Sequence, residues 1–161
     1  MKLTAVSSTI FQPFGGAAGG VVPGFPGEDV ISSIVTWFNQ TPAIAGLFSD
    51  QKLWHVSAPE NTYLPYATIF LASELAETWT TDYAMRRDEV QINVHAETSQ
   101  GAREIAVQIR HGLKKAPLLV NNQPVMHVLP ANSAVQIGEG LAPSGKDCWL
   151  AFETFDIPWT E

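Results

Sequence analysis

The stretch that decides the fold is residues 89–96, which read Glu-Val-Gln-Ile-Asn-Val-His-Ala. Apolar side chains at the even positions alternate with polar side chains at the odd positions. This period of two places all the apolar residues on one face of a β-strand. We therefore predict a strand over residues 87–98, with one face against a core and the other, which carries His95, in water.

The residues that follow this strand have the spacing of a helix. Five apolar residues recur at intervals of three or four and fall on one stripe: Ala102, Ile105, Ala106, Ile109 and Leu113. Thr98 or Ser99 can cap the start of this helix. Its end is predicted near Lys114 and Lys115, because cations are favoured at a helix C-terminus.

Shorter strands are predicted in the last third of the chain. Residues 118–120 and 125–129 flank a polar turn of hairpin length at 121–124. A further strand is predicted over residues 134–137. The loop at 138–145 carries three glycines and a proline, and a last apolar strand over 148–157 closes the domain.

On the N-terminal side of the central strand, residues 66–73 are nearly continuously apolar. Such a run is typical of a strand covered on both faces, or covered by a helix on one face and by a subunit on the other. Residues 53–56 are predicted to form a first core strand, and residues 78–87 are predicted to form a loop. A helix is predicted from Glu28 to Thr41, because its apolar residues share one stripe: Val30, Ile31, Ile34, Val35 and Phe38.

Residues 1–27 differ from the rest of the chain, since six glycines and three prolines lie in their second half and Lys2 is their one charged residue. We predict a strand over residues 3–11 and a Gly/Pro-rich arm after it, with residues 28–161 as a single domain. The strand's apolar residues need a dry surface, which a neighbouring subunit could provide. The predicted fold class is α+β, with a single mostly antiparallel sheet, two main helices on one face and the N-terminal arm.

Composition limits the possible functions. Sixteen acidic and nine basic residues give a net charge of −7, which opposes sequence-specific binding of nucleic acid. The single cysteine, Cys148, cannot form an internal disulfide and is compatible with a reducing cytoplasm. We expect no signal peptide, and no apolar run approaches the roughly 20 residues that span a membrane.

Motifs of catalysis and metal binding are missing from the sequence. The four histidines stand far apart, and no H-E-x-x-H or C-x-x-C arrangement occurs. The glycines at 15–20 are not followed by the Lys-Ser/Thr of a phosphate loop. We therefore predict no enzyme activity, no cofactor and no metal. An alternative left open is a small-ligand binder or an enzyme that uses Glu74, Asp82, His95 or His127.

Several apolar residues lie on segments that are unlikely to bury them alone, and these are candidate subunit contacts. They are Phe11, Phe14, Val21, Val22, Phe25, Trp79, Tyr83, Met85 and Trp159. For Trp79 and Trp159, packing beneath their own loops is an equally good explanation.

The order of elements resembles the phage tail-completion, or tail-terminator, family over residues 28–157. The resemblance depends on four stretches: Leu64-Pro65-Tyr66-Ala67-Thr68-Ile69, the strand at 89–96, Gly101-Ala102-Arg103-Glu104-Ile105-Ala106 and Phe152-Glu153-Thr154-Phe155-Asp156. The Gly-rich residues 1–27 have no counterpart in the family pattern.

The resemblance implies a structural protein of the virion, found in the tail at its neck and assembled in the host cytoplasm. Such a protein forms a ring, typically of six copies, which stops growth of the tail-tube protein and presents a docking surface to the head-to-tail connector. DNA would pass through the ring, and an acidic channel would not retain it. A head-completion, connector or other minor tail protein is the nearest alternative.

Overall fold

The computed structural model describes residues 24–80 and 83–160, and only the backbone at residues 75–80, 83 and 84. Its elements in chain order are β1 (Phe25–Gly27), α1 (Val30–Asn39), α2 (Pro42–Ala45), β2 (Leu53–His55), β3 (Tyr66–Thr80), β4 (Tyr83–Ala96), α3 (Ser99–Leu113), β5 (Leu118–Val120), β6 (Gln123–Pro124), β7 (Leu129–Pro130), β8 (Gln136–Leu141) and β9 (Asp147–Thr160). The predicted α+β class is confirmed.

The strands form two sheets, which corrects the expectation of a single one. The main sheet has the order β2-β3-β4-β9-β7, with β8 also pairing with β9, and all its pairs are antiparallel except β2 with β3. A small sheet has the order β1-β5-β6, with β1 parallel to β5. Phe25, which we had placed in the arm, therefore belongs to the folded body and pairs with Leu118.

Helix α1 begins at a capping box. The Asp29 carboxylate accepts a hydrogen bond from the Ser32 amide, and the Ser32 hydroxyl accepts one from the Asp29 amide. These bonds satisfy amides of the first turn that have no partner within the helix. The predicted helix and its end before Pro42 are confirmed, because α1 stops at Asn39 and Pro42 begins the short α2.

Helix α3 packs on the middle of the main sheet, as its stripe predicts. Thr98 caps it by accepting a hydrogen bond from the Gly101 amide. Its buried residues meet the even-numbered residues of β4, which form the predicted core face: Val90, Ile92, Val94 and Ala96. Fully buried side chains of α1 and β9 complete this core, including Ile34, Phe38 and Phe155.

A buried ion pair joins α3 to the sheet. Arg110 Nε lies 2.6 Å from an oxygen of Glu153 on β9, and Arg110 Nη2 also contacts that oxygen. Arg110 further donates to the carbonyl oxygens of Ser133 and Asn132 in the loop before β8. Glu153 is 4% exposed, so this pair fixes helix, strand and loop to one another inside the protein.

Three boundaries differ from the sequence expectation. The segment at 78–87 is no loop, since β3 extends to Thr80 and β4 begins at Tyr83. Strand β8 continues through the first half of the predicted loop at 138–145 and ends at Leu141. The hairpin after α3 turns at Asn121 and Asn122, whose positive φ angles of 50° and 63° are those of a two-residue turn.

The second face of the sheet is drier than predicted near His95. The imidazole stacks on the Tyr66 ring with centroids 4.4 Å apart, and Cys148 is 5% exposed beside it. Trp54, Leu64 and Ala142 pack around Tyr66 and Cys148. His95 therefore lies in a small second core and not on a wet face, because the chain at residues 54–66 and at 142 folds over it.

Candidate assembly surface

The far end of the β3–β4 hairpin extends past the rest of the main sheet. Strand β9 accompanies β4 as far as the pair Met85–Thr160. Beyond that pair, β3 and β4 pair with each other alone among the described residues. A two-stranded hairpin is marginally stable in water, so this end is a surface that a further protein contact would stabilise.

The outer edge of β3 is also largely uncovered. Strand β2 pairs with Ala67, Thr68 and Ile69, and the Val56 amide donates to the Ile69 carbonyl. After Ile69 no other strand within residues 24–80 and 83–160 pairs with this edge. An edge of this kind presents backbone donors and acceptors that can pair with another strand.

A pocket of about 320 Å³ lies at the root of the hairpin. Leu71 and Glu74 of β3 and Arg86 and Asp88 of β4 line it. Glu28, Asp29, Val30 and Ile31 at the start of α1 also line it, together with Asn121 and Trp159. Four carboxylates surround this pocket, and Arg86, which forms an ion pair with Glu74, is the one guanidinium among the residues lining it.

Asp88 is the most buried of these carboxylates, with 6% of its surface exposed. Its Oδ2 accepts a 2.8 Å hydrogen bond from the Trp159 indole, whereas its Oδ1 is buried without a partner among the described residues. Burial raises the pKa of Asp88, and the bond from Trp159 opposes that rise. At Asp29 burial also acts to raise the pKa, but the hydrogen bonds from Ser32 outweigh it and leave the pKa lowered.

The residues predicted to contact other subunits lie in different parts of the structure. Phe25 is half-buried and packs on the protein's own core. Trp159 is 6% exposed and its ring faces the Arg86 guanidinium, and its role as a subunit contact stays a prediction. Met85, Trp79 and Tyr83 all lie on the outer part of the hairpin. Phe11, Phe14, Val21 and Val22 lie outside the described residues.

The residues of the alternative enzyme hypothesis do not come together. Glu74 pairs with Arg86, His127 is exposed, His95 lies beneath Tyr66, and Asp82 is outside the described residues. Within the part of the chain that is described, no group of three His, Cys, Asp or Glu side chains could hold a metal ion. No helix in this part is long and apolar enough to cross a membrane.

Cys148 and His95 are close enough to be considered as a nucleophile and base, with 3.7 Å between Sγ and Nδ1. Burial lowers the pKa of His95, and burial followed by the charge of Asp147 raises the pKa of Cys148. Burial, with a smaller contribution from Cys148, raises the pKa of Tyr66 to about 12. The surroundings therefore favour the neutral thiol and imidazole, whereas a reactive cysteine needs the thiolate.

Sequence reasoning missed the length of the hairpin and the pocket at its root. A usable signal was present in residues 78–83, where threonine and aromatic residues with high strand propensity occur together. The pairing of Asp88 with Trp159 had no such signal, because the two residues are 71 positions apart.

Comparisons with known proteins give a fold match and no sequence family. No protein-family model and no curated protein matches the chain. A solved structure with a similar fold is described as the virion of a native gene transfer agent (GTA) particle. The likeness has a TM-score of 0.60 at 11% identity and covers 80% of this chain and 92% of that chain. At this identity the likeness shows a shared fold.

Proposed function

We propose that this protein is a non-enzymatic structural component of a phage-like virion. The observation that carries the proposal is that its fold recurs, over 92% of a chain, in the virion of a gene transfer agent. The match covers nearly all of that chain, so the common part is a whole folded unit and not one motif. Among the described residues, no strand flanks the hairpin end beyond the Met85–Thr160 pair, and none pairs with the β3 edge after Ile69. Both features support a role in assembly, since such backbone groups can pair with other chains.

Within that class, we propose that the protein forms a ring that caps the tail tube and presents a docking surface to the head connector. The resemblance of four stretches to tail-terminator proteins supports this role. A ring of acidic chains, each with a net charge of −7, suits a passage for DNA because it repels phosphates. Ring closure needs two different surfaces on each copy, and the hairpin is our candidate for one of them.

Removal of the gene from a particle-producing strain tests the role directly. We expect tails of uncontrolled, excessive length when the protein is missing, because nothing then ends tube growth. Electron microscopy measures tail length and head attachment. Tails of normal length that lie free of heads would contradict the terminator role and would indicate a connector.

A shortened hairpin tests the surface. Replacement of residues 77–85 by Asn-Gly keeps the Ala76–Arg86 pair and should leave thermal unfolding nearly unchanged. We expect this variant to form no rings in negative-stain images or native mass spectra, with or without tail-tube protein. The matched control is Leu141→Asp, an exposed residue at the end of β8, which should leave ring formation intact. Rings from the shortened variant would exclude the hairpin as a contact.

A further inference from the structure

The uncovered β3 edge and the acidic pocket lie side by side. Leu71 and Glu74 belong both to the part of β3 beyond its pairing with β2 and to the lining of the pocket. Leu71 is 41% exposed, so it offers apolar surface at this edge. A ligand that suits this place would therefore offer a strand to the edge and a cation to the pocket.

The edge has a definite length. Strand β3 ends at Thr80, so nine residues, 72–80, follow Leu71 along the uncovered edge. An added strand of matching length would pair with the whole of it, and its main-chain hydrogen bonds would supply affinity. Side chains on alternate positions of that strand would meet the exposed Leu71 on one face of the sheet.

One segment of this chain has the matching chemistry. Residues 3–11 are nine residues with strand propensity, and Lys2 directly before them is the one charged residue among the first 27. A lysine beside four carboxylates, which one arginine balances only in part, is electrostatically complementary. No lysine lines the pocket in the described structure.

The connecting residues are long enough to reach another copy. Residues 12–23 separate the segment from Gly24, where the described chain begins. Twelve extended residues span at most about 40 Å. A folded domain of this size is also about 40 Å across. The segment can therefore cross from its own body to the adjacent subunit of a ring.

We propose that residues 3–11 of one copy add a strand to the free edge of β3 in the neighbouring copy, with Lys2 at the acidic pocket. This inference depends on the proposed ring, because it assigns one of the contacts between its subunits. With Lys2 opposite Leu71, which lines the pocket, the added strand runs parallel to β3 towards Thr80 and places Leu3 opposite Ala72. The other direction is already covered by β2.

Disulfide trapping between two different chains tests this contact. One chain carries Leu3→Cys and the other Ala72→Cys, at an exposed position on β3. After mixing, assembly and mild oxidation, we expect a linked dimer whose peptide contains both new cysteines by mass spectrometry. Native Cys148 is 5% exposed and should stay unlinked. The matched control pairs Leu3→Cys with Ser144→Cys, an exposed residue in the β8–β9 turn, and should give no link.

A charge test adds an independent measurement. Lys2→Glu should weaken association of the assembled protein about tenfold, as expected for the loss of one complementary charge pair. Lys115→Glu, an exposed lysine after α3, changes the net charge equally and should leave association unchanged. Equal weakening by both variants would mean a general effect of net charge and would overturn the placement of Lys2.

The outcomes separate this inference from the proposed function. Rings without the Leu3–Ala72 link would overturn the strand addition and leave the ring intact as a proposal. A third chain carries both cysteines. A link that forms within this chain but not between the two singly substituted chains would also overturn the strand addition, because the segment would then pair with its own β3. Failure to form rings or to end tube growth would instead contradict the proposed function.

Discussion

The two halves of β4 lie in opposite surroundings. In the C-terminal half, Val90, Ile92 and Val94 are buried between helices and sheet, and β3 and β9 pair on either side. In the N-terminal half, β9 ends opposite Met85, and Arg86 forms an ion pair at the edge of a pocket. One continuous strand thus passes from the buried core to a stretch that, among the described residues, pairs with β3 alone.

This difference separates folding from assembly along a single strand. Burial of apolar surface supplies most folding free energy, so the C-terminal half should determine stability. The N-terminal half has few such contacts, and its free backbone edge is suited to other chains. Substitutions in the two halves should therefore act on different measurements, which the following predictions use.

The largest effect is expected from Phe155→Ala in the core beside Val90. Phe155 is fully buried, and its loss should reduce the free energy of unfolding by about 4 kcal/mol through lost burial and a cavity. Denaturant titration measures this change. The control is Leu71→Ala at the root of the hairpin, which should cost no more than about 1.5 kcal/mol because Leu71 is 41% exposed and loses less burial. Equal losses at the two positions would contradict the division of β4.

The next effect concerns the ion pair that fastens α3 to β9. Arg110→Met leaves the Glu153 carboxylate buried without its cation and should cost about 3 kcal/mol. Addition of Glu153→Leu should recover part of this loss, since an apolar pair no longer buries a charge. The exposed pair Lys146–Glu97 provides the control, where Lys146→Met should change stability by less than about 0.5 kcal/mol.

A smaller effect tests the contact of β1 with α1. An added Cβ at Gly27 would lie 2.2 Å from the Ser33 amide nitrogen, so Gly27→Ala must push β1 away from the helix. We expect a loss of about 2 kcal/mol in denaturant titration. Gly138→Ala is the matched control, because a Cβ there meets nothing within 4 Å, and its effect should stay within about 0.5 kcal/mol. A neutral Gly27→Ala would mean that β1 is not tightly held against α1.

The surroundings of each strand also explain which strands could be predicted from the sequence. Residues 89–96 face core on one side only, so their side chains alternate and the strand is evident from local pattern. The apolar stripe of α3 and its Thr98 cap can likewise be recognised from neighbouring residues in the sequence. In β3, the apolar run at 66–73 predicts a strand, but the polar residues that follow have no clear period, and the loop predicted at 78–87 is strand as far as Thr80.

Contacts between distant segments left no local signal. The small sheet joins residues 25–27 to residues 118–120, and neither stretch alone indicates its partner. The pocket depends on the same kind of pairing, because Trp159 of β9 reaches Asp88 of β4. We interpreted Trp159 as a contact residue since it stands beside a proline near the end of the sequence. That position says nothing about the neighbouring strand that buries it.

The smallest predicted effect lies where the two halves of β4 meet, at Asp88. Burial raises the pKa of Asp88 in the folded protein, so the folded state holds this proton more tightly than the unfolded chain does. The stability that this group contributes is therefore complete below the pKa of the unfolded chain and is lost as pH rises through the folded pKa. Asp88→Asn cannot titrate and should become more stable relative to the natural protein as pH rises from about 4 to 7.

Denaturant titration at a series of pH values measures this difference. Trp159→Phe sharpens the comparison, because it removes the hydrogen bond that opposes the rise in the pKa of Asp88. The folded pKa should then rise further, and this variant should lose more stability with increasing pH than the natural protein. Parallel profiles for the natural protein and Asp88→Asn would show that Asp88 is as well solvated as in the unfolded chain, and that the dry half of β4 ends before it.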